Sequence, residues 1–451
     1  MTQHTKHIAI VGAGLVGTLA SLYLRKRGYT VSVFERRPDP REHSLEDGRS
    51  INMALSNRGI KALDEVGMAE KIKQIAVPMH GRVIHDVQEN TKFQPYGKEG
   101  EFINSVSRGG LTQILIEEAE QAGVGFFFSH RCTRIDLEKT RMTFIHEDNL
   151  SEKKFDYIIG ADGSYSAVRG AMQITERFNY EQHYIEHSYI ELHIPSGKNS
   201  GFLLEKGALH IWPRESFMLI ALPNIDGSFT CTLFFPLEGD VSFAALKSDD
   251  QISEFFRSTF PDAYRLMPDL LEAFKRNPVS SLVTIKCFPW VKHNTVVLGD
   301  AAHGIVPFFG QGMNAGFEDC RILNQLLDVY QEDWKKALDE FQLLRKPDTD
   351  AIAQLALDNF IEMRDLVADE EFLLRKKIEA KLHELYPEKW IPLYSMVTFH
   401  EDKRYSESLA IGRKQKMIMD DVMKTPDIRS VWPTLDFKKI ADRVEEYHSA
   451  K

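Results

Sequence analysis

Three short glycine-bearing segments constrain this fold more than any other feature of the chain. They are Gly12-Ala13-Gly14-Leu15-Val16-Gly17, then Gly160-Ala161-Asp162-Gly163-Ser164, and then Gly299-Asp300-Ala301-Ala302-His303 running on to Pro307-Phe308-Phe309-Gly310-Gln311-Gly312. Glycine lets a backbone turn sharply and approach a ligand closely, because no Cβ intervenes. One such loop fits any dinucleotide. Three of them at this spacing form a narrower pattern than any one alone.

The first segment sits in the local context its chemistry needs. Ile8-Ala9-Ile10-Val11 reads as a buried parallel strand, and a helical pattern through Leu19, Leu22 and Leu24 ends at Gly28. A second strand, Val31-Ser32-Val33-Phe34, ends at Glu35. Strand, loop, helix and strand together aim the helix N-terminus, with its free N–H donors and positive dipole end, at a pyrophosphate. Glu35 stands where an acid hydrogen-bonds a ribose hydroxyl. Arg36 and Arg37 follow it, and an arginine here could instead hold the 2′-phosphate of NADP. This segment alone does not choose between FAD and NADP.

The third segment follows a strand, Thr295-Val296-Val297-Leu298, and Ala301-Ala302 permits tight packing beside a ligand. Gly310 to Gly316 then opens a long helix, whose N-terminus again offers backbone donors. A simple NADP dehydrogenase has no need of this second, distant loop. The middle segment follows the strand-like Phe155 to Ile159; Asp162-Gly163 suits a turn, and Arg169 comes soon after.

Composition narrows the class. A 43% hydrophobic content with 28 Phe allows a large core. The formal charge of −10 argues against nucleic acid as a partner, which demands a basic surface. Cys132, Cys231, Cys287 and Cys320 are far apart and form no C-x-x-C, so neither a zinc ribbon nor a disulfide framework is expected. The 16 histidines show no ligand spacing, and no metal is expected. The first apolar run is the nucleotide-binding strand rather than a signal segment. No uncharged apolar run approaches the roughly 18 residues of a spanning helix. The expectation is a soluble, cytoplasmic protein.

The fold class expected is α/β: a Rossmann-like dinucleotide-binding domain interleaved with a β-sheet substrate domain, plus C-terminal helices. Residues 1–75, 106–176 and 291–345 are assigned to the first domain. Residues 76–105 and 177–290 form the second, because alternating strands recur at 187–192, 208–212, 217–222 and 230–234. Residues 346–451 form the C-terminal helical region, with one or two long helices over 348–386.

These motifs resemble the fingerprint of the FAD-dependent aromatic hydroxylases. Further stretches are similar to one branch of them, the kynurenine 3-monooxygenase family: Phe34 to Arg41, Gly48 to Asn52, Leu209 to Arg214, Ile220 to Asn224, Pro307 to Asn314 and Tyr394 to Phe399. The resemblance implies an FAD- and NADPH-dependent enzyme that uses O2 to convert L-kynurenine to 3-hydroxy-L-kynurenine in tryptophan catabolism. Eukaryotic members carry a C-terminal membrane segment, and this sequence is more similar to the soluble bacterial members. For the cofactor, the resemblance implies contacts from Gly12, Gly14, Val16, Gly17, Glu35, Arg36, Arg37, Ala54, Arg108, Asp162, Asp300, Gly312, Met313 and Asn314. Asp300 would meet the ribityl chain or a nearby phosphate, and the loop after it would lie beside the isoalloxazine ring.

The substrate residues follow from the same resemblance and make chemical sense. A carboxylate is best held by a guanidinium fork, and Arg82 matches the family's carboxylate arginine. Tyr96 and Tyr394 match hydroxyls at that end. Leu209, Ile220, Phe234, Pro307 and Phe308 match an apolar wall around the aromatic ring. Asn359 carries a signal of its own, as the one amide in the apolar helical stripe Ile352, Leu355, Ala356, Asn359, Met363, Leu366. An inward amide needs a partner; a substrate carboxylate and an inter-helix hydrogen bond serve equally. Met363 shares its face.

No catalytic side chain is nominated. In the resembled class the oxygen is delivered by a C4a-hydroperoxyflavin, and the protein positions the ring, excludes water and admits NADPH. Two alternatives stand beside this reading: a hydroxylase of another aromatic substrate, and a non-catalytic flavin-binding redox module. A flavin halogenase is disfavoured, since Ile211-Trp212-Pro213 is not the W-x-W-x-I-P stretch expected there.

Overall fold

The computed structural model describes residues 5–42, 52–98, 100–362 and 369–446. Met363 and the stretch Gly48–Ile51 lie outside the described residues.

The apolar run His7–Val11 is the centre of a six-stranded sheet. It is flanked by Thr30–Phe34 and Tyr157–Gly160, with Gly125–Phe127 at one edge and Thr295–Val297 followed by Val291–Lys292 at the other. All pairings are parallel except the last. Central parallel strands are covered on both faces, which is why Ile8, Ala9 and Ile10 are buried in succession rather than alternately. The helix Leu15–Lys26 covers the sheet after the first glycine segment, and Gly312–Val329 packs against that helix.

A seven-stranded sheet forms the second layer. Its order is Ser280–Phe288, Asn179–Ile194, Phe229–Pro236, Phe217–Pro223, Ala208–Arg214, Gly81–His85 and Thr91–Pro95. The hairpin 81–95 thus joins strands lying more than a hundred residues later, through a parallel pairing of Arg82 with Leu209. Alternation gives this sheet two faces. Trp212, Phe217, Leu219, Ala221, Cys231, Leu233 and Phe235 pack on a helical layer that includes Asp249–Thr259 and Leu270–Arg276. Ile211, Met218, Ile220 and Phe234 face the other way, toward Pro307–Phe309 and the helix Trp334–Ile361.

The C-terminal part is helical, but its first long helix begins at Trp334 rather than near 348. Pro347 lies inside it. The proline removes one backbone donor, yet buried Trp334, Leu338, Phe341, Ile352 and Leu355 hold the helix on both sides of it. Glu370–Leu385, Leu393–Phe399 and Tyr405–Val422 follow.

Candidate active site

The three glycine segments meet. Gly12 has φ +103°, a conformation that L side chains rarely adopt, and a Cβ there would lie 2.5 Å from the Ala161 carbonyl oxygen. A Cβ on Gly17 would lie 2.0 Å from the Gly12 carbonyl oxygen. The first and middle segments therefore touch backbone to backbone. The third closes on Val16, whose methyls pack against Gly299 and Gly316. Arg169 adds a tie, donating to the carbonyls of Ser164 at 2.5 Å and Ala301 at 2.9 Å.

Beside this junction lies a cavity of about 390 Å³, bounded by the glycine loops on one side and the seven-stranded sheet on the other. Gly14, Val16, Ala54, Arg108, Asp300, Gly312 and Met313 line it. So do Arg82, Tyr96, Leu209, Ile220, Phe234, Pro307, Phe308 and Tyr394.

The dinucleotide side fits FAD. The helix Leu15–Lys26 has no side-chain cap, so its first-turn N–H groups remain available to an anion. Glu35 is buried and accepts from the Ala13 N–H at 3.0 Å, which places it beside the glycine loop. Burial pushes its pKa up, but the Arg37 guanidinium and backbone donors outweigh that and hold it below the usual carboxylate range. Arg37 is engaged in this pair at 2.9 Å, while Arg36 is exposed. Asp300 is enclosed by protein but open to the cavity, and its carboxylate has no hydrogen-bond partner among the described residues. Burial raises its pKa, with His303 and Arg108 opposing.

Gly12, Gly17, Glu35, Arg36, Arg37, Asp162 and Asn314 do not line the cavity, and the last two are engaged in holding the loops behind it. Asp162 supports the Ser166 cap of the helix Ala167–Gln173, accepting from Ser166 Oγ at 2.5 Å and the Ala167 N–H at 2.6 Å. Asn314 ties the loop, donating to the Gly310 and Ala54 carbonyls at 2.9 and 2.8 Å.

Across the cavity, Arg82 sits over two rings. Its guanidinium carbon is 4.7 Å from the Tyr394 centroid and 5.3 Å from that of Tyr96. The two tyrosines stack at 5.4 Å, and Phe309 stacks on Tyr394 at 5.4 Å. Arg82 Nε and the Tyr96 hydroxyl are buried without a hydrogen-bond partner, and no carboxylate among the described residues forms an ion pair with Arg82. Burial pushes the Tyr96 pKa well up, so its hydroxyl stays protonated. Asn359 does not line the cavity; its Nδ2 donates to the Phe308 carbonyl at 2.7 Å and so braces the wall from behind. Phe308 itself stacks on Phe360 at 4.1 Å and meets the tilted Phe234 ring at 4.9 Å.

Several lining residues escaped the sequence reading: Asn52, Met79, Tyr189, Met218, Leu222, Thr232 and Leu282. Strand alternation could have found three of them, because Met218 and Leu222 flank Ile220 at spacing two and Thr232 precedes Phe234 at the same spacing.

Residues 5–356 match the FAD binding domain family. A kynurenine 3-monooxygenase of Flavobacterium johnsoniae is 48% identical over 96% of this chain and 97% of its own length. The kynurenine 3-monooxygenase of Candida albicans is 44% identical over 93% of the chain and 94% of its own. Among solved structures, 2-methyl-3-hydroxypyridine-5-carboxylic acid oxygenase superposes with a TM-score of 0.67 at 20% identity, covering 79% of this chain and 91% of its own. Pseudomonas aeruginosa PqsL, solved with 2-aminobenzoylacetate, gives 0.66 at 18% identity, covering 80% and 97%. Those two establish the fold. Taken with the geometry, the near-full-length relatives place the sequence: the chain belongs to the FAD binding domain family and, within it, to the kynurenine 3-monooxygenases.

Proposed function

We propose that this chain holds FAD and hydroxylates L-kynurenine to 3-hydroxy-L-kynurenine, consuming NADPH and O2. One observation supports the substrate most: the half-buried Arg82 guanidinium, which forms no ion pair with a carboxylate among the described residues, faces the same cavity as the glycine loops. A cation withdrawn from water is costly unless paired, and a substrate carboxylate completes it. In this reading Arg82 takes the carboxylate, and the Tyr96 and Tyr394 hydroxyls complete that end. Asn359 holds the Phe308 carbonyl, while Leu209, Ile220, Phe234, Pro307 and Phe308 grip the aromatic ring and exclude water. On the opposite wall, Gly14, Arg108 and the helix N-terminus receive the pyrophosphate, Glu35 a ribose, and Asp300 the ribityl region.

Bound FAD supplies the redox chemistry, accepting reducing equivalents from NADPH and activating O2. The residues contribute position and dryness rather than proton transfer. The division into a discontinuous FAD domain (1–75, 106–176, 291–345), a substrate domain (76–105, 177–290) and a helical region (346–451) belongs to the same reading. So does a cytoplasmic location, which suits four free, buried cysteines. Among the described residues, no helix is long and apolar enough to cross a membrane.

The test is a titration of FAD into the purified protein, followed by NADPH oxidation with and without L-kynurenine. Stoichiometric FAD and strong stimulation by kynurenine support the reading. Failure to take up FAD refutes it entirely, and stimulation only by another aromatic acid reassigns the substrate.

A further inference from the structure

The helix Tyr405–Val422 begins directly behind the loop that closes the cavity. Tyr405 is fully buried, and its hydroxyl donates to Gln311 Oε1 at 2.9 Å. Gln311 is itself buried and sits between Gly310 and Gly312, both of which line the cavity. On its other side the Tyr405 ring carries the Arg58 guanidinium at 4.1 Å. Arg58 is 2% exposed, and each arm of its fork is used. Nε donates to the Val397 carbonyl at 3.0 Å, Nη2 to the carbonyls of His400 and Lys403, and Nη1 to Glu318 at 2.9 Å.

These contacts connect two walls of the cavity. Val397 lies in the same short helix as Tyr394, Leu393–Phe399. Glu318 also pairs with Arg345 at 2.7 Å, and Arg345 with Asp319 at 2.8 Å. Asp319 accepts from the Gly299 N–H at 3.0 Å and from His303 at 2.5 Å, next to Asp300. A continuous run of buried polar contacts thus joins the Tyr394 helix to the Asp300 turn, with a branch through Tyr405 to Gln311. Apolar side chains of similar volume would often serve stability equally well. They could not hold three carbonyls, an aromatic ring and a carboxylate in one register, as a planar five-donor guanidinium does.

We propose that Arg58 and Tyr405 are positioning residues that lock the Tyr394 helix to the loop Gly310–Gly312. Seating the substrate's carboxylate and closing the cavity are then one mechanical state. The inference rests on the hydroxylase reading above. When the lock is loosened, substrate still binds but water reaches the cavity, and reducing equivalents are lost as NADPH + H⁺ + O2 → NADP⁺ + H2O2 instead of entering product.

Tyr405→Phe is the decisive variant, because it removes one hydroxyl and keeps the ring under Arg58. In the apoprotein, hydrogen exchange at the amides of Gly310 to Gly312 should accelerate about fivefold, the loss of roughly one net hydrogen bond. In the FAD-loaded enzyme, FAD affinity should hold while product formed per NADPH falls to roughly half or less, with matching peroxide. Arg58→Lys should sit between wild type and Arg58→Met in kynurenine dissociation constant, since the ammonium keeps the charge but not the fork. A coupled wild type with an equally coupled Tyr405→Phe and unchanged loop exchange overturns the inference alone. A wild type that shows no kynurenine-stimulated oxidation overturns the hydroxylase reading, and this inference with it.

Discussion

Replacing Arg82 with alanine removes the cation that the sheet presents to the cavity wall formed by Tyr96 and Tyr394. Arg82 is held by two aromatic faces, at 4.7 and 5.3 Å, and no carboxylate among the described residues forms an ion pair with it, although Glu362 lies near enough to favour its charge. Its charge is therefore available to a ligand without breaking an existing ion pair. A hydrogen bond to a charged group is worth about 1.5–3 kcal/mol, which corresponds to about 10- to 150-fold in affinity. The dissociation constant for L-kynurenine, read from the change in flavin absorbance, should rise by that factor. FAD content should be unchanged, because Gly14, Asp300 and the uncapped helix lie on the opposite wall. Arg82→Lys should recover only part of the loss, since an ammonium cannot offer a planar fork. A kynurenine analogue lacking the carboxylate should bind wild type poorly and be nearly indifferent to the substitution, which closes a double-mutant cycle. Wild-type affinity and turnover in Arg82→Ala would return Arg82 to the role of a packed strand cation.

Gly17→Ala would drive a Cβ into the Gly12 carbonyl oxygen, 2.0 Å away, so the purified variant should come out colourless and less thermally stable. Asp300→Ala should weaken FAD binding about tenfold or more by removing an otherwise unpaired carboxylate, measured by flavin fluorescence on titrating apoprotein; Asp300→Asn should be milder. His210 is buried with its pKa pushed down to about 4, chiefly by burial. Since the unfolded chain takes up that proton near 6.5, stability should be complete above pH 6.5 and fall as the pH drops toward 4, by up to about 3 kcal/mol. Urea denaturation of a His210→Gln variant should lack that slope; an identical slope would assign it to other groups.

Legibility in the sequence followed the strength of local signals. The glycine segments could be read because backbone contacts leave no room for a Cβ, and the strands 217–223 and 229–236 because one face had to be apolar toward each layer. The helix expected from about 348 begins at Trp334, because tertiary packing on both sides of Pro347 carries the helix through the lost backbone donor. Arg58 gave no signal: it stands in a short polar helix, Asn57–Glu65, among residues that look solvated. Its role exists only where Val397, Glu318 and Tyr405 converge from distant parts of the chain. Asn359 shows the opposite limit. The apolar stripe announced that its amide points inward, but only the fold supplies the Phe308 carbonyl as a partner.

The central claim is that this cavity directs an atom of dioxygen onto an amine-bearing aromatic ring. Turnover of L-kynurenine with NADPH under oxygen-18-labelled dioxygen, followed by mass spectrometry of the product, tests it most directly. The account predicts 3-hydroxy-L-kynurenine carrying a single labelled oxygen, formed in step with NADPH consumption. NADPH consumption that yields only labelled peroxide, or a hydroxylated product whose oxygen comes from water, would contradict it.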